Sequence, residues 1–227
     1  MSHELSLQHL AQHDPVMAEL IKRVELQSIK PSNNHFESLA SSIISQQLST
    51  KAARTIKQRF VSLFGKKFPT PQQVLERDDE ELRRVGLSFS KILYIKNIAQ
   101  AVEENVINFK KLSVMNDAEI IAELIKIKGV GIWTAEMFLI FSLGRDNIYS
   151  YGDLGLKNAV KKIYNLDHKL DSVEFTKLLE SWAPYKSMAS RILWKSLELK
   201  DEETSEYSVS SNQKKNKRPL KFQPLKL

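Results

Sequence analysis

Two features of this chain could together act on a nucleotide: a turn rich in backbone N–H groups and an acid that follows it. The turn is Gly129-Val-Gly131, between two helical patterns, and the acid is Asp153. N–H groups that point outward at a helix N-terminus bind phosphate without reading sequence. A carboxylate just beyond could act on the sugar that carries the phosphate. The pair indicates an enzyme that cuts a bond within a nucleotide unit of DNA.

Each feature also has a purely structural interpretation. Two glycines around one apolar residue are typical of an ordinary turn between helices, with Val130 buried between them. Asp153 precedes the helical pattern of residues 154–164 and can serve simply as its N-cap. Asp146 is the nearest other acid, but its Gly-Arg-Asp-Asn surroundings are typical of a turn. The residues alone therefore leave phosphate binding and catalysis open.

Helices must position these residues, because apolar side chains recur at helical spacing along most of the chain. Clear apolar faces cover Val16–Val24, Phe36–Ile44, Ala52–Phe64 and Ile92–Val102, and further helices fit 117–127, 132–143, 154–164, 171–181 and 187–199. Asp14 and Pro15 supply an N-cap and a first helical residue. Most of the 7 glycines lie between the patterns. Since we find no alternating strand pattern, we predict an all-α fold.

The chain divides into a helical part, residues 1–200, and a tail, residues 201–227. The tail begins with acidic residues, ends with basic ones and has no helical face. We expect this tail to be flexible. Its basic end either touches DNA phosphates or has no role.

The composition of the 227 residues, 42% hydrophobic and 27% charged, lies in the globular range. A net charge of +7 allows a polyanionic partner without requiring one. The absence of cysteine excludes disulfides, thiolate metal sites and a thiol nucleophile. We see neither an apolar signal segment nor the run of about 20 apolar residues that a membrane span needs. We expect an intracellular protein without a membrane partner, acting as a monomer.

Four stretches in order resemble one known family. Lys126–Thr134 resembles the helix-hairpin-helix of the HhH-GPD DNA glycosylase superfamily, named for this hairpin and a trailing Gly/Pro…Asp loop. Ile43–Ala53 resembles its loop that enters DNA at the lesion, and Leu82–Ser88 its segment before the hairpin. Trp182–Trp194 resembles the C-terminal helix of the alkylpurine branch, the 3-methyladenine DNA glycosylase II type. The resemblance covers about 35–199 and implies two packed helical subdomains with an active cleft between them.

The resemblance implies that Asp153 is a catalytic aspartate. Breaking the bond between a base and deoxyribose builds positive charge on the sugar. A nearby carboxylate stabilises that charge and orients or deprotonates the attacking water. Members that also cleave the strand carry a lysine where this chain has Trp133, and that lysine forms a Schiff base. Because tryptophan has no amine, we expect a monofunctional hydrolase that leaves an abasic site.

The resemblance also implies an aromatic base pocket. Methylation at N3 of adenine or N7 of guanine makes the purine cationic, and a cation over an indole face gains ~0.5–2 kcal/mol. We expect Trp133 and Tyr185 in this pocket, with Tyr151 as a further candidate. Trp133 has an alternative role in core packing. The expected substrate is duplex DNA containing alkylated bases, and the residues do not rank the individual lesions.

Flipping a base out of the duplex leaves a gap that a side chain should fill. The resemblance gives this role to Gln47, with Leu48 as the apolar alternative, although Gln47 can also simply cap the preceding helix. It gives phosphate binding to the N–H groups of Gly129, Gly131 and Thr134.

No organic cofactor is expected. The resemblance implies a structural Na⁺ or K⁺ in the hairpin, bound by the backbone carbonyls of Ile125, Ile127 and Val130. Two other functions remain open: a hairpin protein that binds DNA without catalysis, and a glycosylase for deaminated or oxidised bases. Asp153 argues against the first, and Trp133 argues against strand-cleaving members of the second.

Overall fold

The structure is a computed structural model that describes residues 3–28, 31–168 and 172–199. The tail at 201–227 therefore lies outside the described residues. The α-helices run in the order α1 (His3–His13), α2 (Pro15–Arg23), α3 (His35–Ser45), α4 (Thr50–Leu63), α5 (Pro71–Glu76), α6 (Asp79–Arg84), α7 (Phe89–Glu103), α8 (Phe109–Leu112), α9 (Asp117–Leu124), α10 (Ile132–Phe138), α11 (Leu154–Tyr164), α12 (Val173–Trp182) and α13 (Lys186–Ser196). A π-helical segment, Leu139–Leu143, continues α10. The described ranges contain no strand, which confirms the all-α prediction.

Buried apolar side chains form two hydrophobic cores, one in each of two subdomains. The central subdomain, built on α3 to α10, has Leu39, Phe60 and Phe138 in its core. The terminal subdomain joins α1 and α2 to α11, α12 and α13, with Leu10 in its core. Trp194 packs against both cores. The structure thus has the two packed helical subdomains that the resemblance implied.

Asp14 ties the first two helices to the rest of the terminal subdomain. Its Oδ1 accepts hydrogen bonds from the amides of Val16 and Met17, at 2.8 and 3.1 Å, as an N-cap does. Its buried Oδ2 accepts from the hydroxyl of Tyr164 at 2.7 Å and from Nε1 of Trp182 at 2.8 Å. The sequence predicted only the cap. The two distant donors make this carboxylate a link between α2, α11 and α12.

Helix boundaries depart from the sequence prediction mainly around the hairpin. The helix predicted over 117–127 ends at Leu124, where the turn begins. The helix predicted over 132–143 changes from α to π geometry at Leu139. We did not predict α1, whose residues are too polar for a clear apolar face. In the described part of the chain, no helix has the length and apolar character of a membrane span.

Replacing Asp14 with alanine should strongly destabilise the fold. The change leaves the hydroxyl of the half-buried Tyr164 and Nε1 of the buried Trp182 without their acceptor, and each such group costs about 1–3 kcal/mol. We expect a loss of about 3 kcal/mol in the free energy of unfolding, measured with urea. Asp78→Ala is the matched control, because Asp78 is an exposed N-cap whose loss costs about 1 kcal/mol. Equal losses in the two variants would contradict the linking role.

Candidate active site

The turn between α9 and α10 requires glycine at one of its two glycine positions. Gly129 has φ +103°, and a Cβ there would lie 2.2 Å from Cγ of Tyr94. Gly131 has neither constraint, since its φ is −93° and the space around it is open. Val130 is buried, and its amide donates to the carbonyl of Ile127 at 3.0 Å. Glycine is therefore required at position 129 for two reasons: the backbone is left-handed there, and the ring of Tyr94 packs directly against it.

The N-terminus of α10 is open in a way that suits an anion. Its N-cap is Gly131, and no side chain accepts a hydrogen bond from the first-turn amides. Such amides have no acceptor within the helix. Most other helices of the described chain begin with a side-chain cap, as Asn116 does for α9. Phosphate binding by Gly129, Gly131 and Thr134 stays a prediction: Gly131 is exposed and Gly129 is half-buried, whereas Thr134 is buried.

Asp153 is held by three N–H donors. Its Oδ1 accepts from the amide of Leu156 and from Nε1 of Trp194, both at 2.8 Å. Its Oδ2 accepts from Nε1 of Trp133 at 2.7 Å. The carboxylate is only 9% exposed. Asp153 is thus the N-cap of α11, as the structural interpretation held, and is also fixed by two indoles from different parts of the chain.

Gly155 allows the indole of Trp194 to reach this carboxylate. A Cβ on Gly155 would lie 3.0 Å from Oδ1 of Asp153 and 3.1 Å from Cδ1 of Trp194. Both contacts are tighter than ordinary van der Waals separations. The one glycine inside a helix therefore serves a close approach at the site, a role that its sequence context did not reveal.

A cavity of about 960 Å³ opens beside Asp153 where the subdomains meet. It is lined by Ser32, Glu37, Ser38, Ser41, Ser42, Ser45, Leu48, Thr50, Ala53, Arg54, Lys57, Trp133, Met137, Phe141, Asp153, Gly155 and Trp194. Its volume lies in the range typical of small-molecule sites. Because the hairpin ends next to Trp133, the cavity and the open amides of α10 lie close together along one helix.

One side of the cavity is the polar face of α3. Ser38, Ser41, Ser42 and Ser45 are spaced at i, i+3, i+4 and i+7, so they share one helix face. The apolar residues of α3 occupy the opposite face and enter the central core. The apolar pattern of α3 does not by itself predict that this polar face lines a cavity. The serines that recur at helical spacing between the apolar residues were the signal for a second, polar face on this helix.

Two aromatic residues at the cavity were missed. Phe141 is 41% exposed and stacks on Trp194, with ring centroids 5.8 Å apart and planes at 29°. The π-helical segment carries Phe141, and such segments are frequent at functional sites. Nothing in the apolar spacing predicts that local change of helix geometry. Trp194 closed the stretch that resembles the family's C-terminal helix, so its place in that motif was the available signal.

The two predicted tyrosines do not join this cavity. Tyr185 precedes α13, and its ring lies 5.0 Å from that of His9 on α1. Tyr151 lies 5.3 Å from the ring of Tyr149, at the surface of the terminal subdomain. Neither tyrosine is among the described residues that line the cavity. The packing of α1 against α13 takes Tyr185 to another surface, and α1 was absent from the sequence prediction.

Gln47 and Leu48 lie in the short loop between α3 and α4. Gln47 is exposed and has φ +56°, a left-handed backbone conformation that side chains rarely adopt. Leu48 is 39% exposed and lines the cavity. Leu48 therefore lies at the edge of the cavity and Gln47 precedes it in the same loop, and insertion of either residue into DNA stays a prediction.

The carbonyls predicted to bind a cation all belong to the hairpin turn. The carbonyl of Ile127 accepts the amide of Val130, as noted above. In the described residues, no backbone amide donates to the carbonyls of Ile125 or Val130. Oxygen ligands of this kind suit hard cations. The donor set fits a small cation without requiring one.

A second carboxyl group lies close to Asp153. Glu136 is on α10, is 8% exposed and accepts a hydrogen bond from the hydroxyl of Ser150. Burial raises the pKa of Glu136, the hydrogen bond from Ser150 lowers it, and the negative charge of Asp153 raises it further. Glu136 and Ser150 therefore form another contact between α10 and the segment that leads to Asp153.

Comparisons with known proteins agree on one family. Residues 40–184 match the HhH-GPD superfamily of base excision DNA repair proteins. DNA-3-methyladenine glycosylase 1 of Schizosaccharomyces pombe is 37% identical over 168 residues, which are 73% of this chain and 74% of that protein. A putative DNA-3-methyladenine glycosylase of Bacillus subtilis is 36% identical over 69% of this chain, but the match spans only 56% of that protein.

A solved structure shares the whole architecture. The 3-methyladenine DNA glycosylase of S. pombe, in complex with abasic DNA, superposes with a TM-score of 0.75 at 33% identity. The superposition covers 86% of this chain and 98% of that one. The order and packing of the helices described above are therefore those of a protein that was solved on DNA.

Replacing Glu136 with glutamine should stabilise the protein increasingly as pH rises. The raised pKa means that the folded protein holds this proton more tightly than the unfolded chain does. The protonated Glu136 therefore contributes to the free energy of unfolding at low pH, and this contribution is lost as the pH rises through the raised pKa. Glutamine stays neutral and still accepts from Ser150. In urea unfolding from pH 4 to pH 8, the free energy of unfolding of the variant should rise relative to that of the native protein. A difference between the two that does not change with pH would contradict a buried carboxyl group.

Proposed function

Because the chain belongs to the HhH-GPD superfamily of base excision DNA repair proteins, we propose that it is a monofunctional DNA glycosylase. It flips alkylated purines of the 3-methyladenine and 7-methylguanine type out of duplex DNA and hydrolyses their N-glycosidic bond, leaving an abasic site. The observation that carries the proposal is the carboxylate of Asp153, fixed by three N–H donors in the wall of a cavity of about 960 Å³. A DNA substrate also implies action inside the cell.

Asp153 supplies the charge that the reaction needs. Both of its oxygens act as acceptors, as in an ionised carboxylate, and three of its about four lone-pair sites are used. The remaining site, on Oδ2, is available to orient the attacking water. When the base leaves, positive charge develops on the sugar, and a fixed carboxylate stabilises it without rearranging. The same charge would not assist a protein that only binds DNA.

The cavity favours hydrolysis over strand cleavage. Trp133 stands where strand-cleaving relatives carry their lysine, and an indole forms no Schiff base. Lys57 is the one lysine among the described residues that line the cavity. Its ammonium lies 2.9 Å from Oε1 of Glu37, so it is engaged in an ion pair. A charged, paired lysine is a poor nucleophile.

The aromatic rings explain a preference for alkylated purines. Trp133, Phe141 and Trp194 line the cavity together, and their faces can stack on a purine ring. A methylated purine is cationic, so such a face attracts it by ~0.5–2 kcal/mol more than a neutral base. The positive charge also makes the base a better leaving group. A modest catalyst therefore suffices.

The hairpin and the loop between α3 and α4 would hold the DNA. The amides of Gly129, Gly131 and Thr134, at and just before the uncapped start of α10, would bind a phosphate near the flipped nucleotide. A Na⁺ or K⁺ on the carbonyls of the turn, those of Ile125, Ile127 and Val130, would add positive charge beside that phosphate. Gln47, with Leu48, would fill the gap that the flipped base leaves. None of these contacts involves an organic cofactor.

Asp153→Asn should greatly slow base release from methylated duplex DNA while leaving DNA binding intact. Asparagine keeps the size of the side chain but removes its charge and replaces one accepting oxygen with an NH₂ that cannot accept from an indole N–H, so we expect a loss of about 100-fold or more in the single-turnover rate. Asp146→Asn is the control, because Asp146 is the nearest other acid along the chain and does not line this cavity. Products are analysed with and without alkali.

Native protein should free methylpurines and leave sites that break only in alkali. Strand breaks without alkali would instead indicate a lyase and would direct attention to Lys57. DNA binding without any base release, in native protein and variant alike, would leave only a binding protein.

A further inference from the structure

The loop that would enter the DNA has a conformation that it does not set by itself. We call residues Gln46–Ser49 the wedge loop; it connects α3 to α4. Gln47 has φ +56°, and a side-chain-bearing residue keeps such a conformation only where its surroundings impose it. Within the loop, the amide of Leu48 bonds to the carbonyl of Ser45 at 3.2 Å. Contacts from outside the loop must supply the remaining constraint.

Lys91 makes the first of these contacts. Its side chain extends from the first turn of α7, and its ammonium donates to the carbonyls of Ile44 and Gln46, both at 2.8 Å. Carbonyls at the C-terminus of a helix lack partners within it and favour a positive charge. Lys91 thus joins the end of α3 and the start of the wedge loop to α7.

The chemistry around Lys91 indicates a dedicated contact. Lys91 is half-buried, and its burial lowers its pKa. Among the described residues, its hydrogen-bond partners are carbonyl oxygens and include no carboxylate. A solvated lysine on a helix surface would keep its full hydration. The hydrogen bonds to these two carbonyls therefore replace the hydration that Lys91 loses in its half-buried position.

Gln46 makes the second contact. Its side-chain amide donates to the hydroxyl of Thr134 at 3.0 Å, and Thr134 is buried in α10 directly after the hairpin. The wedge loop is thereby attached to α7 on one side and to α10 on the other. All these elements belong to the central subdomain. The loop and the hairpin are consequently held in one fixed spatial relation.

We propose that Lys91 is a positioning residue for DNA entry: it preorganises the wedge loop so that Gln47 and Leu48 can fill the gap when a base is flipped. The proposal rests on the proposed function. Lys91 bonds to the loop backbone and to no atom of Asp153. Its loss should therefore raise the cost of flipping a paired base and leave the bond-breaking step unchanged.

The first test compares excision of one lesion in two settings. Single-turnover release of 7-methylguanine is measured opposite cytosine and in a one-nucleotide bulge, where the base is already unpaired. For Lys91→Met we expect about a tenfold slower release from the paired site and about a twofold change in the bulge, because an unpaired base is cheaper to flip. Lys91→Arg, which keeps charged donors, should recover most of the paired rate.

Lys96→Met is the matched control. Lys96 is also on α7, and its ammonium donates to the carbonyl of Arg77 at 2.8 Å, away from the wedge loop. Lys96→Met should lower the release rates from the paired site and from the bulge by the same factor, or leave both rates unchanged. An equal effect of Lys91→Met on the paired and bulged lesions would overturn the proposal, as would no effect on either. Circular dichroism verifies that both variants are folded.

A second measurement needs no base release. A duplex carries a tetrahydrofuran abasic site opposite 2-aminopurine, whose fluorescence rises when an inserted side chain unstacks it. Native protein should raise the fluorescence on binding, Lys96→Met should do the same, and Lys91→Met should raise it by less than half as much. An equal rise for Lys91→Met, or no rise for native protein, would contradict the wedge loop proposal. Because binding alone is measured, its outcome is separate from that of the glycosylase proposal.

Discussion

The hydrogen bonds to the carboxylate of Asp153 are the interaction on which the site depends. Trp133 comes from the helix that follows the hairpin, and Trp194 comes from the last described helix. The amide of Leu156 fixes the same group from α11. Since Trp133 belongs to the central subdomain and α11 to the terminal one, the carboxylate is positioned only when both cores are formed. The position of the carboxylate therefore depends on the packing of the two subdomains against each other.

The two subdomains contribute different parts of the function. The central one holds what would contact DNA: the hairpin with Gly129, the open N-terminus of α10, and the loop that carries Gln47. The terminal one supplies the charge at Asp153 and the ring of Trp194. The cavity forms where these parts meet, and its α3 wall is polar because serines fill the face that the apolar residues leave. A flipped base would enter between DNA-holding and charge-bearing surfaces.

The sequence predicted most of the helices, although not α1, α5 or α8, and it singled out the hairpin and Asp153, because each of these depends on local spacing or on a motif. The apolar period also predicted three of the helix faces that form the central core, those of α3, α4 and α7. What it could not predict depends on contacts across the chain. Trp133 was expected to offer a ring face to the base. Its Nε1 also donates to Asp153, and the packing of the two subdomains determines that orientation. Phe141 faces the cavity because it lies in a π-helical segment. Tyr185 does not line the cavity, because at the start of α13 its ring packs against His9 of α1.

The central claim is that Asp153 is a fixed negative charge beside the sugar that becomes cationic. Its most direct test compares binding to two duplexes with abasic analogues, one a cationic pyrrolidine and the other a neutral tetrahydrofuran. The pyrrolidine resembles the charged transition state, and analogues of that kind bind about 100-fold or more tightly than neutral ones. We expect this preference in native protein and its loss in Asp153→Asn, with tetrahydrofuran affinity unchanged. Equal affinity of native protein for both duplexes would contradict the account.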